Sequence, residues 1–540
     1  MGDENVDDKH LFVCSECGHR FTRHENLKRH VNTNHKNPGI ECRYCTKKFK
    51  RKDLLKRHVS LRHPDHLEEY VVSEKMQNGS KFHLPTFQAP DIPKSYNPRL
   101  HKYYSELPFL PPDFLSHYKD LYFDLFHPYF PLMNQEWVEG DYVAASYLRA
   151  LVAIGCLSTG LPEDGRLGSE LWGAGMSIME VFLTDDDNNY ESEWVQTCIP
   201  IFQLSGQFAF EFTDQQYVLF KRAMERCILH EARLEDRTRT KETFVRALNT
   251  YYVVDKFKEI FNHASSSLNY TQLTSRLPCE NGEYELAILN GSISRVLNRL
   301  CSGPIKLNEC RLTGLTLVCA IYELIQRERE LKFTLNDGNA IPFSVMRAME
   351  NLSASVNTCP NYNSQHMDLF WTLYHLVRVE SLFNFYRDYT YMGLLFTHDP
   401  IETLKSELAL CRQVHKMLTL HECAERYEAM SPSFLWALDQ LSSRVGKKNE
   451  LPMERLILAR IVYLGWLLVL GLETGLTDPG ISRNFSIISD KISALLHDYV
   501  YMDLSRPLSN TIRAFCEDKL SSPGAWNLGE KLRGHIFPGA

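Results

Sequence analysis

Two stretches near the amino terminus place two cysteines and two histidines at the same intervals along the chain. Both follow the spacing Cys-x2-Cys-x12-His-x4-His, and the second begins 28 residues after the first. Two thiolates followed by two imidazoles at these intervals are typical of a tetrahedral zinc site. The predicted zinc ligands are Cys14, Cys17, His30 and His35 in the first stretch and Cys42, Cys45, His58 and His63 in the second. The sequence therefore predicts two structural Zn²⁺ ions.

Apolar residues fall around the predicted ligands in the positions that a small metal-centred core requires. They are Phe12, Phe21 and Leu27 in the first stretch and Ile40, Phe49 and Leu55 in the second. A unit of fewer than about thirty residues buries too little apolar surface to fold alone. Zinc binding supplies on the order of 10–16 kcal/mol in comparable peptides, so we expect each stretch to fold around its metal.

These two stretches resemble C2H2 zinc fingers, which are small ββα units held by zinc. In that family, helix positions −1, 3 and 6 face successive bases in the DNA major groove. The resemblance assigns these positions to Arg23, Asn26 and Arg29 in the first finger and to Arg51, Leu54 and Arg57 in the second. Position 2 is occupied by Glu25 in the first finger and by Asp53 in the second, where the carboxylate can brace the neighbouring arginine.

The chemistry of these side chains predicts the DNA sequence that the fingers read. Arginine pairs bidentately with guanine and asparagine with adenine, whereas the side chain of Leu54 has no hydrogen-bonding group. With the second finger on the 5′ side, the expected core is 5′-GNGGAG-3′. Two fingers cover only about 6 bp, so contacts to phosphates must add affinity and make binding sensitive to salt.

Charge is divided unevenly along the chain. Residues 9–63 contain 15 Lys and Arg against 4 Asp and Glu, a net charge of +11, whereas the whole chain carries −7 and the remainder therefore −18. A basic segment on an acidic chain indicates a polyanionic partner for the fingers only. The alternative is an RNA-binding or protein-binding adaptor without sequence-specific DNA readout. Guanine-reading arginines at both ends of each helix favour DNA over that alternative.

Composition divides the chain into five regions. An acidic tail spans 1–9, the first finger 10–35, a linker with the second finger 36–63, and an irregular proline-containing linker 64–105. From 106 to 540, apolar residues recur at helical spacing and strand-type alternation is scarce, which predicts a large all-α domain. Candidate helices lie at 142–158, 215–232, 242–262, 367–387, 401–419 and 453–474. The predicted fold is two tandem zinc-held ββα fingers followed by this all-α domain.

Several segments of the helical region resemble the fungal-specific transcription factor domain, or middle homology domain, which has a regulatory role. They include HPYFPLMNQEWV at 127–138, SYLRALVAIGCLSTG at 146–160 and RAMERCILHEARLEDRT at 222–238. The resemblance covers about 106–400, although Asn262-His263-Ala264 stands where the family usually has Gly-Arg-Pro. It implies a regulatory domain that contacts the transcription machinery or coregulators. That domain can also form homodimers, but no heptad repeat is evident here.

The sequence offers no arrangement typical of an enzyme or a membrane protein. His230-Glu231 lacks the second histidine of a zinc-protease helix, and Ser169 is not set in a nucleophile elbow. The most apolar run, 461–472, is 12 residues long, which is too short to span a bilayer and predicts a buried core helix. No secretory signal is evident at the amino terminus. The 11 cysteines outside the fingers are therefore expected to be reduced and buried.

Taken together, these patterns predict a nuclear, non-enzymatic regulator of genes transcribed by RNA polymerase II. Its expected partner is double-stranded DNA carrying a G-rich promoter element, and no association with membranes is expected. An enzyme with an active site in the helical region is the third and weakest hypothesis.

Overall fold

The structure is a computed structural model of the 540-residue chain. It describes residues 12–21, 27, 30–31, 40–42, 45, 47–49, 55, 57–59, 62–63, 112–132, 145–184, 193–210, 212–233, 242–262, 266–273, 276–279, 291–307, 310–335, 343–360, 362, 366–382, 400–415, 418–445, 450–474, 476, 479–496, 507–522, 526, 532 and 537. The chain divides into two compact units, Met1–Thr86 and Phe87–Ala540.

The first unit contains two short β-hairpins, one in each predicted finger. The strands are β1 (Phe12–Val13), β2 (Arg20–Phe21), β3 (Ile40–Glu41) and β4 (Lys48–Phe49). Both pairs are antiparallel, with Phe12 opposite Phe21 and Ile40 opposite Phe49. Helical residues follow each hairpin along the chain, at 27 and 30–31 and again at 55, 57–59 and 62. The two fingers therefore repeat one arrangement of hairpin and helix.

The described part of the second unit is mostly helical. Its helices are α1 (Pro112–Leu125), α2 (Ala145–Ser158), α3 (Pro162–Thr184), α4 (Glu193–Phe208), α5 (Asp214–Arg233), α6 (Glu242–Asn262), α7 (Ile293–Leu300), α8 (Arg311–Leu335), α9 (Phe343–Asn357), α10 (Asp368–Leu382), α11 (Pro400–His415), α12 (Leu420–Ser443), α13 (Pro452–Glu473), α14 (Pro479–Leu496) and α15 (Leu508–Leu520). A 3₁₀ turn lies at Tyr270–Gln272. The six candidate helices of the sequence correspond to α2, α5, α6, α10, α11 and α13, so each of them is confirmed with its ends shifted by five residues or fewer.

The helix α13 lies in the interior and contacts α10, α11, α12 and α15. Its 22 residues make it long and apolar enough to cross a membrane by length and composition alone, but 89% of its most apolar window is buried inside the molecule. The sequence prediction of a buried core helix is therefore confirmed. The sequence argument that the 12-residue run is too short to span a bilayer was wrong, because this run is part of a 22-residue helix. That helix also contains buried charged residues.

One of those charged residues, Arg460, joins α13 to three other helices. Its guanidinium donates to Glu407 on α11 through Nε at 3.0 Å and to Glu380 on α10 through Nη1 at 2.8 Å. Its Nη2 also donates to the backbone carbonyl of Ile260 on α6 at 2.9 Å. All three charged side chains are less than 10% exposed. Because water is excluded, this cluster is stable only while the two carboxylates and the guanidinium remain together.

Replacing Arg460 tests this dependence. Arg460→Met should lower the free energy of unfolding by about 3–5 kcal/mol, since it leaves two carboxylates buried without a counter-charge. Denaturant unfolding of the full chain, followed by circular dichroism, measures the loss. Lys405→Met is the matched control: it removes an ion pair to Glu402 on the exposed side of α11 and should change stability by about 1 kcal/mol or less. Equal effects of the two substitutions would contradict the assigned role of the cluster.

A close contact between α1 and α2 depends on a glycine. A Cβ atom at Gly155 would lie 2.0 Å from the backbone carbonyl oxygen of Tyr118 on α1. That oxygen belongs to a helix backbone and cannot move as a flexible side chain could. Only glycine therefore allows α1 and α2 to approach this closely.

Substituting two helical glycines should give effects of opposite sign. Gly155→Ala should destabilise the chain by about 1–3 kcal/mol, because α1 and α2 must separate to accept the methyl group. Gly173→Ala on α3 is the control, since a Cβ there meets no atom within 4 Å. It should stabilise the chain by about 0.5–1 kcal/mol through higher helix propensity. Thermal unfolding of both variants and of the unchanged chain measures these effects. A Gly155→Ala variant as stable as the unchanged chain would refute the steric argument.

Candidate metal centres in the amino-terminal unit

Each hairpin turns tightly at its cysteines through backbone hydrogen bonds. The amide of Cys14 donates to the carbonyl of His19 at 2.8 Å, and the amide of Gly18 donates to the carbonyl of Cys14 at 2.9 Å. Gly18 has a φ of 73°, a left-handed conformation that glycine adopts without strain. In the second finger, the amide of Cys42 donates to the carbonyl of Lys47 at 2.8 Å. The turns therefore fix the direction of the cysteine side chains before any metal is considered.

The predicted ligands converge at two places. In the second finger, the ligand atoms of Cys42, Cys45, His58 and His63 all lie within 4.8 Å of one another. In the first, Cys14, Cys17 and His30 form a group that meets the same criterion. The predicted fourth ligand, His35, lies outside the described residues.

The ligand atoms lie close enough together to share one zinc ion. The sulfur of Cys45 is 3.2 Å from Nε2 of His58, and the sulfur of Cys17 is 3.0 Å from Nε2 of His30. Around a tetrahedral ion with Zn–S near 2.3 Å and Zn–N near 2.0 Å, sulfur and nitrogen stand about 3.5 Å apart, so each pair must separate by a few tenths of an ångström to share a zinc ion. A Cys2His2 donor set is also a common structural zinc set. These residues therefore fit the metal.

Electrostatic surroundings favour the protonation states that bind zinc. Burial raises the pKa of the Cys14 thiol, but hydrogen bonds from the backbone of Glu16 and Cys17 lower it by more, so the net pKa lies below its usual value. Burial lowers the pKa of His58, and the nearby charges of His63 and Lys47 lower it further. Thiolate and neutral imidazole are the forms that coordinate zinc. The lowered pKa values of Cys14 and His58 therefore favour the thiolate and the neutral imidazole that coordinate zinc.

A small apolar cluster supports the metal group of the second finger. In the second finger, Cys42, Leu55 and Val59 are buried, and Phe49 packs against them. The ring of Phe49 lies 4.7 Å from that of His58, centroid to centroid. Leu55 was predicted in this core, whereas Val59 was missed. Its position four residues after Leu55, on the same side of the helix, is the signal that could have identified it.

The first finger shows the same ring contact between its predicted core and a ligand. Phe21 lies 4.9 Å from His30, centroid to centroid, and Leu27 is half-buried. The ring of His19 also stacks on that of His30 at 5.7 Å. These contacts hold the imidazole in place beside the cysteine turn.

Of the predicted base-reading residues, the structure describes one. Arg57 is helical and exposed, next to the buried Leu55 and Val59 and to the metal-facing His58. The other seven, Arg23, Glu25, Asn26, Arg29, Arg51, Asp53 and Leu54, lie outside the described residues. The described part of the second finger therefore has one side directed at the metal core and another directed at solvent.

The helical unit differs in its cysteine and histidine chemistry. All 11 of its cysteines are free thiols; ten are buried and Cys301 is half-buried, which confirms the sequence prediction. Burial raises the pKa of Cys198 and Cys516 well above the usual value for a thiol, so they remain protonated. Across the described residues, groups of three or more potential metal ligands occur only in the fingers. The side chain of His230 lies outside the described part.

Comparison with known proteins agrees with this assignment. The family model described as zinc finger, C2H2 type, matches residues 12–35 and 40–63. The chain is also 28% identical over 583 aligned positions to a zinc finger protein of Schizosaccharomyces pombe, covering 98% of this chain and 95% of that protein. No solved structure matches. The chain therefore carries two C2H2 zinc-binding sites, which indicate a nucleic-acid-binding regulator rather than an enzyme.

Removing one ligand should affect one site alone. Cys17→Ser should reduce the zinc content of the full chain from two ions to one, because three remaining ligands hold the metal too weakly for the first finger to fold. Native mass spectrometry or a metal assay after gel filtration measures the change. Cys301→Ser, at a half-buried cysteine of the helical unit, is the control and should retain both ions. Loss of both ions from Cys17→Ser would show that the two sites are not independent.

Proposed function

We propose that this chain is a nuclear transcription regulator whose two zinc fingers read a G-rich element near 5′-GNGGAG-3′ in the promoters of genes transcribed by RNA polymerase II. In this proposal the first zinc is held by Cys14, Cys17, His30 and His35 and the second by Cys42, Cys45, His58 and His63. The helical unit is the regulatory part. It corresponds to the fungal-specific transcription factor domain that its sequence resembles and contacts the transcription machinery or coregulators.

The observation that carries the proposal is the division of the second finger helix into two sides. Leu55 and Val59 are 5% and 0% exposed, and His58 between them belongs to the metal group. Arg57 is exposed beside them, at the position that reads the first base of the triplet in C2H2 fingers. A zinc-anchored helix that presents an arginine to solvent suits bidentate pairing with O6 and N7 of guanine.

In this proposal the other predicted base-reading residues contact the remaining bases of the site along the major groove. Arg51 reads the third base of the same triplet, and Arg23 and Arg29 read the outer guanines of the next triplet. Asn26 reads adenine between them through its amide. Leu54 offers no donor or acceptor, which leaves the second base of the site unspecified. The carboxylate of Asp53 is of the type that can brace Arg51 in this family, and Glu25 stands at the corresponding position of the first finger.

The fingers also carry the charge that a nucleic acid requires. Arg20, Lys47, Lys48 and Arg62 are exposed in the described part of this unit, within a segment whose net charge is +11. Each lysine or arginine that neutralises a phosphate releases a bound counterion, so affinity should fall steeply as salt rises. These contacts position the fingers, whereas the helix arginines supply the sequence preference.

Substitutions separate base reading from phosphate contact. Arg57→Ala should weaken binding to 5′-GNGGAG-3′ by about 1–3 kcal/mol and remove the preference for the first guanine. Lys48→Ala should instead weaken binding to all duplexes by a similar factor and reduce the salt dependence. Fluorescence anisotropy of the full chain with duplexes that vary at the first base measures both effects. A uniform loss on all sequences for Arg57→Ala would contradict its assigned role.

Selection from randomised nucleic acids tests the function as a whole. The full chain should enrich duplexes that contain the G-rich core over unselected duplex. No enrichment of any duplex sequence would overturn the proposal. Enrichment of single-stranded RNA, or retention by protein partners alone, would support the adaptor function instead.

A further inference from the structure

Exposure to solvent distinguishes Cys17 from the other cysteines of the chain. The structure describes all 15 cysteines: Cys17 is exposed, Cys45 and Cys301 are half-buried, and the other twelve are buried. Oxidation of a cysteine depends on the thiolate form of its sulfur and on access from solvent. A zinc-bound sulfur is held as a thiolate, so Cys17 meets both conditions in the loaded finger. It is therefore the cysteine that an oxidant in solution reaches most readily.

The core of the first finger is also more open than that of the second. Leu27 and Leu55 occupy equivalent positions 28 residues apart, and so do Val31 and Val59. Leu27 and Val31 are half-buried, whereas Leu55 is 5% exposed and Val59 is fully buried. The apolar side chains around a metal site control the access of solvent to it. The core of the second finger therefore shields its metal group better than the core of the first does.

The contact between sulfur and imidazole shows the same difference. Sγ of Cys17 lies 3.0 Å from Nε2 of His30, and this contact is exposed. Sγ of Cys45 lies 3.2 Å from Nε2 of His58, and this contact is partly buried. The two pairs have the same spacing along the chain and nearly the same separation, so they differ in exposure more than in geometry. An oxidant should therefore attack the first site before the second.

A second sulfur lies within reach of Cys17. Cys14 is 1% exposed, and its Sγ lies within 4.8 Å of Sγ of Cys17. Backbone hydrogen bonds of Cys14 with Gly18 and His19 hold the turn that brings the two cysteines together. A disulfide requires the sulfur atoms to approach to about 2.05 Å, which rotation of two side chains on one turn can supply. Cys14 is thus placed to react with an oxidised Cys17.

We propose that the first finger is a site of reversible oxidation by hydrogen peroxide, at which Cys14 and Cys17 form a disulfide and release the first zinc ion. The thiolate of Cys17 attacks one oxygen of the peroxide, the O–O bond breaks, hydroxide leaves, and Cys17 becomes a sulfenic acid. The thiolate of Cys14 then attacks the sulfur of Cys17, so that the S–S bond forms, the S–O bond breaks and a second hydroxide leaves. Two electrons pass from the sulfurs to the peroxide, and protons from solvent convert both hydroxides to water.

Formation of the disulfide removes the metal from the first finger only. Zinc coordinates thiolates, and the two histidines that remain hold it too weakly to keep the finger folded. The second finger keeps its ion for longer, because Cys45 is half-buried beside a buried core. The oxidation site depends on the zinc groups alone. Its consequence for DNA rests on the proposed function: the oxidised chain should lose its preference for the triplet read by the first finger.

Zinc release from the full chain measures the reaction. The zinc-loaded chain, free of reductant, is exposed to hydrogen peroxide, and released zinc is followed with a zinc-binding dye. The first equivalent should appear about tenfold faster than the second. At that point, mass spectrometry of peptides from the alkylated chain should show a disulfide between Cys14 and Cys17 and free thiols at Cys42 and Cys45. Dithiothreitol and added zinc should then restore the original zinc content.

Variants that retain a single zinc site assign the two rates. Cys45→Ser keeps the first ion and should release it at the fast rate, whereas Cys17→Ser keeps the second ion and should release it at the slow rate. Val59→Ala opens the core of the second finger and should speed release of the second ion without changing the first. Cys301→Ser, at a half-buried cysteine of the helical unit, is the control and should leave both rates unchanged. Zinc content before oxidation establishes which sites are loaded.

The outcomes separate this proposal from the proposed function. Equal release rates, earlier release of the second ion, fast release from Cys17→Ser, or no disulfide between Cys14 and Cys17 would each overturn the oxidation site. Failure of reductant and zinc to restore the first site would also overturn it. None of these measurements uses DNA. If zinc is released at two rates but no G-rich duplex is enriched, the oxidation site stands and the DNA-reading function fails.

Discussion

Burial of α13 on all its sides is the constraint on which the helical unit depends. A helix surrounded by other helices has no water with which to satisfy a polar group, so each charged residue on it must find a partner in the interior. Arg455 is 1% exposed and donates to Glu450 through Nε at 2.8 Å and to the carbonyl of Ser522 through Nη1 at 2.7 Å. Burial raises the pKa of Glu454 by more than the nearby Arg444 lowers it, so the pKa lies at about 7 and an unpaired charge there would be unfavourable. The neighbouring helices must therefore place carboxylates opposite the charged residues of α13, as Glu380 and Glu407 do for Arg460.

The fingers meet the opposite constraint, because they are too small to exclude water by packing alone. Their buried residues are few: in the second finger Leu55 and Val59 pack with Cys42, and Phe49 lies alongside. A metal bound by two thiolates and two imidazoles replaces the missing core and fixes the helix against the hairpin. This arrangement leaves the outer side of the helix free of any structural task. In the described part of that helix, the exposed Arg57 lies outside the buried cluster.

The two units differ in net charge as well as in fold. The segment 9–63 carries a net charge of +11, whereas the rest of the chain carries −18. On α5, the outer residues Val218 and Leu229 are separated by a pair of opposite charges. The structure shows that Phe220, Ala223, Met224 and Cys227 on α5 are buried, whereas Val218 and Leu229 are exposed.

Local spacing made the metal groups and the helices predictable from the sequence. The intervals between cysteines and histidines, and the apolar residues between them, are set within about thirty residues by the geometry of one metal ion and one helix. The helices α2, α5, α6, α10, α11 and α13 follow in the same way from apolar periodicity. Val59 was not predicted because the ligand spacing does not mark the residue that follows His58 as part of the core.

The sequence by itself therefore determined the two zinc-binding sites, the helical character of the second unit and the division of charge between the regions. Only the tertiary structure decided which helices touch. Arg460 meets residues 53, 80 and 200 positions away, and Gly155 lies against the backbone of Tyr118. It also decided which side of α5 faces the core. The physical reason is that zinc ligation and helical periodicity act between neighbours in the sequence, whereas burial and ion pairing depend on segments brought together by the whole fold.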